Sequence, residues 1–184
     1  MKKLNVGCGN RKIYGYINVD IREDINPDII CDVSRISEQF QDVDVIYACH
    51  VLEHFPEKPF AFSKTTWKDV LLDWHKSLRK GGTLRISVPD LETVCQRYLE
   101  TKNLSEIKAF FYGGQKYDFD YHFSGWDFES LKKELECIGF ENVRLYDWRK
   151  TEHFYVDDYS QAYLPHLDKS KGQLMSLNIE AEKK

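Results

Sequence analysis

Short apolar runs, each ending in a glycine or an acid, alternate with helix-length amphipathic segments along the first half of the chain. This alternation is the strongest constraint on its fold. Successive strands separated by helical crossovers build a parallel-dominated sheet with helices on its faces, and ligands then collect at the carboxyl ends of the strands. Residues 3–6 (KLNV) read as a strand running into GCGN, and 15–19 (GYINV) as a second ending at Asp20. Ile29 and Ile30 precede Cys31-Asp32, and 43–48 (VDVIYA) precede HVLEHF, which is more helix-like than strand-like. A helix is expected over 65–79, where Trp67, Val70, Leu71, Trp74 and Leu78 share one stripe, with Gly81-Gly82 ending it. A strand over 83–88 closes at Pro89, and Asp90 is a candidate cap for LETVCQRYLE. Residues 103–126 lack periodicity and read as a long loop. Asp127 is placed to cap a helix to Ile138 that Gly139 stops; strands follow over 142–148 and 173–179, and AEKK reads as a frayed end.

The 184 residues fit one domain, 1–184, with 103–126 and 150–172 as lid or acceptor-side insertions. A net charge of -4 and the absence of any long basic block leave no footprint for a phosphate backbone, so no nucleic-acid partner is expected. The five cysteines form no CxxC and are odd in number, which argues for free thiols and a reducing, cytoplasmic setting. The opening MKKLNVGCGN lacks the apolar core of a signal peptide, and no run approaches the ~20 apolar residues of a membrane span.

The chemistry-bearing motifs all follow strands. Gly7-Cys8-Gly9 lets the backbone turn sharply and approach a ligand closely. Asp20, after the second strand, can accept ribose hydroxyls. Lys12 stands where a dinucleotide loop needs its third glycine, and the interval from Gly7 to Asp20 is well short of the usual ~20 residues. A nucleoside without phosphates therefore fits better than a pyrophosphate on a long helix N-terminus. His50-Val51-Leu52-Glu53-His54 matches the H-x-x-E-H pattern of zinc hydrolases, but Phe55-Pro56 cuts the helix short and no motif supplies a third ligand, so no metal is assigned. Tyr121-His122 lies in an aromatic run where an imidazole could orient or deprotonate an acceptor, and Glu152-His153 is a weaker acid–imidazole pair.

Taken in order, LNVGCG, GYINVDI, DVSRI, ACHVLEHF, WHKSLRKGGTLRISVPD and DFESLKKELECIGFENVRL resemble the class I S-adenosylmethionine-dependent methyltransferases, and most closely their small type-11-like branch. The resemblance implies a Rossmann-like α/β fold with a seven-stranded mixed sheet, its last strand antiparallel, here with a shortened N-terminus. It implies S-adenosylmethionine as cofactor, with Gly7, Cys8 and Gly9 along its amino-acid part, Asp20 on the ribose, Asp32 and Val33 on the adenine, and Cys49 and His50 on the methionyl part. The expected reaction is methyl transfer to a small-molecule acceptor such as a sugar or cell-envelope precursor, with His122, then His50 or His54, as base. A second copy of the chain is a candidate partner. Two rival readings stand beside it: a cofactor-binding protein that is inactive or partner-dependent, and a zinc-dependent hydrolase built on HVLEH.

Overall fold

The computed structural model describes every residue except Phe62 and Leu167; the latter falls within the expected 150–172 insertion. Seven strands form the main sheet: β1 (Lys3–Val6), β2 (Ile17–Asp20), β3 (Ile29–Ile30), β4 (Val43–Cys49), β5 (Leu78–Pro89), β6 (Phe140–Leu145) and β9 (Ser176–Lys183). Their spatial order is β3-β2-β1-β4-β5-β9-β6, and β7 (Tyr163–Leu164) and β8 (Gln173–Leu174) form a separate ribbon. β1 to β5 run parallel, while β9 inserts antiparallel between β5 and β6. The expected seven-stranded mixed sheet with an antiparallel last strand is present. Strand order reverses between β1 and β4, which opens a crevice at their carboxyl ends.

The two faces of this sheet are chemically different. Period-two alternation aims Leu4, Val6, Val19, Ile46, Ala48, Leu84, Ile86, Val88, Leu177 and Ile179 at one face. There they pack against α1 (Trp67–Ser77), α4 (Phe128–Ile138) and the 3-10 segment Val33–Glu38. Thr66 and Asp127 each close a capping box at the start of these helices. Trp74, fully buried, donates its indole N–H to the Val33 carbonyl at 2.7 Å and so joins α1 to the 3-10 segment.

The opposite face carries Lys3, Asn5, Asn18, Tyr47, Arg85, Ser87, Asn178 and Glu180 in the alternate positions. Helices on both faces were expected, but the segments covering this one are the irregular turn before β2 and the stretch around residues 148–161. Polar groups dictate that cover, because each must meet a partner when buried. Glu152 accepts from Lys3 Nζ at 2.7 Å, Tyr16 OH at 2.6 Å and Arg85 at 3.1 Å, and Arg85 also pairs with Glu180 at 2.6 Å. Burial pushes the Glu152 carboxyl upward, but these donors outweigh it and hold it well below the usual carboxylate range. The Glu152-His153 pair is thus part of this cover. His153 is buried between Tyr16 and Tyr47, its ring nitrogens without hydrogen-bond partners among the described residues.

Four local expectations are corrected. Residues 103–126 are not one loop: α3 (Leu104–Tyr112) occupies their first part, held by Ile107 packing with Val94 of α2 (Leu91–Thr101), Leu164 and Met175. Gly81-Gly82 lies within β5, because α1 has already ended at Ser77. The pair sits where the β4–β5 register shifts, and a Cβ on Gly82 would meet the carbonyls of Val43 and Arg79 at 2.9 Å. The C-terminal residues continue β9, where Ala181 is fully buried. HVLEHF forms only one 3-10 turn, Leu52–His54.

Burial first, and then the Arg85 charge, lowers the His153 pKa from 6.5 to about 4. The unfolded chain therefore takes up a proton below pH 6.5 that the folded chain refuses until about pH 4. Stability from this group is complete above pH 6.5 and is lost as pH falls towards 4. The expected size is about 3 kcal/mol. Urea denaturation of wild type and His153→Phe at pH 7 and 4.5 tests this; the variant should show the shallower loss.

Candidate active site

The candidate residues are set at the carboxyl ends of β1 to β4 by the strand order just described. β1 runs into Gly7, whose φ of 65° lies in the left-handed region. A Cβ there would fall 2.5 Å from Val51 Cγ2, so the glycine turn rests directly on the segment after β4. Gly9 is also left-handed, with open space where its Cβ would be. Cys8 is buried, and burial, reinforced by the nearby Asp20 charge, pushes its thiol up to about 12, which makes it a packing group and not a nucleophile.

Asp20 ends β2 and faces this turn. Its Oδ2 accepts from the Gly9 N–H at 2.8 Å and its Oδ1 from the Arg22 N–H at 2.9 Å. Each oxygen retains a second lone pair. Asp32 caps the following 3-10 segment, its Oδ1 accepting from Ser34 N–H at 2.9 Å and Ser34 Oγ at 2.8 Å, with buried Val33 next in the chain. No helix separates β1 from β2, as the short interval to Asp20 requires.

An open cleft of about 580 Å³ is lined by Asn10, next to Gly9, by Arg22 and Asp24, which follow Asp20 in the chain, and by Tyr117, Asp118 and Phe119. This volume lies within the ~300–1,000 Å³ usual for small-molecule sites. Tyr117 stands across from Arg22, whose guanidinium lies 5.1 Å from the ring centre. Asn10 and Arg22 were not singled out in the sequence. Arg22's place just after the strand-ending acid was the available signal; the folding of Tyr117–Phe119 onto that edge is a long-range contact with none.

After β4, Cys49 and His50 follow the strand into the turn. Burial raises the Cys49 thiol well above its ordinary range. His50 adopts a left-handed φ of 53°, its N–H donating to the Ser87 carbonyl at 2.8 Å. Its ring reaches Ser176 Oγ through Nε2 and Glu53 Oε1 through Nδ1, each at 3.0 Å. His50 lies outside the 3-10 turn, so His50 and His54 do not share the helical face that the zinc-hydrolase pattern requires.

Glu53 has no solvent exposure; its Oε1 faces His50 Nδ1 at 3.0 Å, and its Oε2 has no hydrogen-bond partner among the described residues. Burial alone would raise its carboxyl; the surrounding imidazoles of His50, His54 and His122 reverse that and lower it. His54 Nδ1 lies 3.0 Å from the Tyr121 carbonyl, and His122 Nδ1 lies 3.0 Å from the Phe110 carbonyl. A carbonyl only accepts, so Nδ1 carries the proton in both rings and Nε2 presents a lone pair. Burial lowers the His122 pKa against the pull of Glu53 and favours this neutral form. The three expected catalytic histidines are thus gathered around one buried carboxylate, although His122 lies far along the chain from the other two.

No protein-family model matches this chain, and no curated protein matches it. Solved structures do. A SAM-dependent methyltransferase from Archaeoglobus fulgidus is 16% identical, with 99% of this chain and 86% of that one covered at a TM-score of 0.56. A TehB-like SAM-dependent methyltransferase from Corynebacterium glutamicum is 16% identical, with 100% and 80% covered at 0.51. A Pyrococcus horikoshii protein is 15% identical, with 100% and 82% covered at 0.58.

Gly7→Ala should cost about 2 kcal/mol or more, from left-handed strain and overpacking against Val51 together. Adding Val51→Ala should relieve the overpacking but not the strain; urea denaturation of both variants against Val51→Ala alone separates the two parts. The sheet order, the antiparallel β9 and these likenesses together give the chain the fold of the class I S-adenosylmethionine-dependent methyltransferases.

Proposed function

We propose that the chain is a methyltransferase that moves a methyl group from S-adenosylmethionine to a small-molecule acceptor. The observation that carries this reading is the joining of Asp20 to Gly9 across the carboxyl ends of β1 and β2, beside an open cleft. The residues present suit a nucleoside sulfonium. Gly9 leaves the backbone open to close approach, and Asp20 keeps lone pairs for two ribose hydroxyls. Gly7, Cys8 and Gly9 would border the amino-acid part, Asp32 and Val33 the adenine, and Cys49 and His50 the methionyl part. The cofactor supplies an already activated methyl group. The protein's work is therefore alignment, which can contribute several kcal/mol, and exclusion of water. Tyr117, Asp118 and Phe119 line the cleft, which supports reading residues 103–126 as a lid.

An acceptor hydroxyl or amine would lose its proton to the histidine cluster. His122 and His54 have Nδ1 on a backbone carbonyl and leave Nε2 for a proton, whereas His50 is engaged at both nitrogens, which ranks His50 last as base. A sugar or cell-envelope precursor is the acceptor class we favour, on the strength of the type-11-like motifs in the sequence. Among the described residues no helix is long and apolar enough to cross a membrane.

Calorimetric titration with S-adenosylmethionine and S-adenosylhomocysteine tests the donor site. Dissociation constants in the micromolar range are expected, at least ~10-fold weaker in Asp20→Asn, which keeps the side-chain shape and loses charged hydrogen bonding. No binding near a millimolar would overturn the reading.

A further inference from the structure

We propose that Glu53, His54 and His122 form a binding site for one first-row divalent transition metal ion. One ligand atom from each of the three side chains lies within 4.8 Å of the other two, and the Glu53 carboxylate is fully buried, with Oε2 lacking a hydrogen-bond partner among the described residues. A buried carboxylate is unfavourable unless positive charge meets it, and here imidazoles face it. A cation at the centre of this cluster would meet it.

Three further features fit an ion. First, both histidines spend their Nδ1 protons on backbone carbonyls, Tyr121 and Phe110. This is the arrangement that fixes a ligating imidazole with its other nitrogen turned to the metal. Second, the frame is tied together. The Phe123 and Ser124 N–H groups donate to the Glu53 carbonyl at 2.8 and 3.3 Å, Ser124 Oγ donates to the Phe55 carbonyl at 2.8 Å, and the His122 N–H donates to the Tyr112 carbonyl at 3.2 Å. Third, His50 stands behind the carboxylate, with Nδ1 3.0 Å from Oε1, where it can hold the ligand in orientation. An ion ~2.1 Å from each donor needs donors no more than ~4.2 Å apart. His122 Nε2 and Glu53 Oε1, at 4.0 Å, already meet this, and the other pairs lie within 4.8 Å.

Two imidazoles and one carboxylate suit zinc, cobalt, iron(II) or manganese, and leave positions open for an oxygen ligand. That ligand would be water or a hydroxyl, carboxylate or phosphate oxygen of a bound molecule. The same Nε2 lone pairs cannot take a proton while they hold an ion. In the metal-bound protein His54 and His122 are therefore ligands, and the ion's charge eases loss of the proton from an oxygen bound to it. Only this last consequence rests on the methyltransferase reading; the site itself does not.

The test is titration of chelator-treated full-length protein with Co(II), followed by visible absorption and in competition with Zn(II), with no S-adenosylmethionine present. Saturation at one ion per chain is expected, weakened roughly 100-fold or more in His54→Ala, His122→Ala and Glu53→Gln, and unchanged in His75→Ala, a histidine on α1. Circular dichroism checks that each variant is folded. In the intact protein, Co(II) should shift or broaden the imidazole NMR signals of His54, His122 and the adjoining His50 before those of His75, His153 and His166, which needs no variant. No saturable binding near a millimolar, or binding that leaves the His54 and His122 signals unmoved, overturns the proposal. Because donor binding is measured separately, failure here leaves the methyltransferase reading standing.

Discussion

Gly7 lacks a side chain, and this permits the turn after β1 to lie against Val51. That contact sets the distance between the two halves of the candidate site. On one side the glycine turn meets Asp20 through the Gly9 N–H; on the other, Val51 begins the turn that carries Glu53 and His54. Any side chain at position 7 would have to push the two apart, and the left-handed backbone there adds strain of its own. Donor-side and histidine-side geometry are therefore mechanically linked through van der Waals contact, which transmits displacement because protein interiors are densely packed.

The same strands divide the molecule by chemistry. The helix-covered face is held by area: each aliphatic side chain buried there contributes about 1.5–3 kcal/mol, and its packing is insensitive to pH. The polar face is held by directed contacts, with Arg85 shared between Glu180 and Glu152, and Glu152 in turn bound by Lys3 and Tyr16. Such contacts need specific partners more than bulk, and irregular chain can place those partners without a helix. His153, wedged between Tyr16 and Tyr47, makes this face the acid-sensitive one.

The histidine cluster has a different physical logic. A carboxylate with no exposure is surrounded by three imidazoles, two of them turned by backbone carbonyls so that their lone pairs remain available. The arrangement favours a positive charge at its centre, whether protons on the rings or an ion among them. Its Glu53 and His54 stand after β4, where the reversal of strand order opens the crevice.

Much of this was legible in the sequence, because periodicity and turn chemistry are local. The β1, β2 and β4 positions, the α1 stripe, the Asp90 and Asp127 caps and the absence of a helix before Asp20 follow from residue order and spacing. So does the placement of Gly7, Gly9, Asp20 and His50 at strand ends. Other features were hidden. Nothing near Leu104–Tyr112 announces a helix, because what stabilises α3 is Val94, Leu164 and Met175 from elsewhere in the chain. HVLEH has helical spacing, yet it folds as a single 3-10 turn, with His50 drawn to Ser87 and Ser176. His122 reaches Glu53 because residues 123 and 124 hydrogen-bond to the Glu53 carbonyl. The sequence by itself determined where β1, β2, β4, α1 and α4 lie, since their periodicity and caps depend on neighbouring residues. Only the tertiary structure decided which distant side chains share the buried pocket, since that depends on packing and hydrogen bonds between segments far apart in the chain.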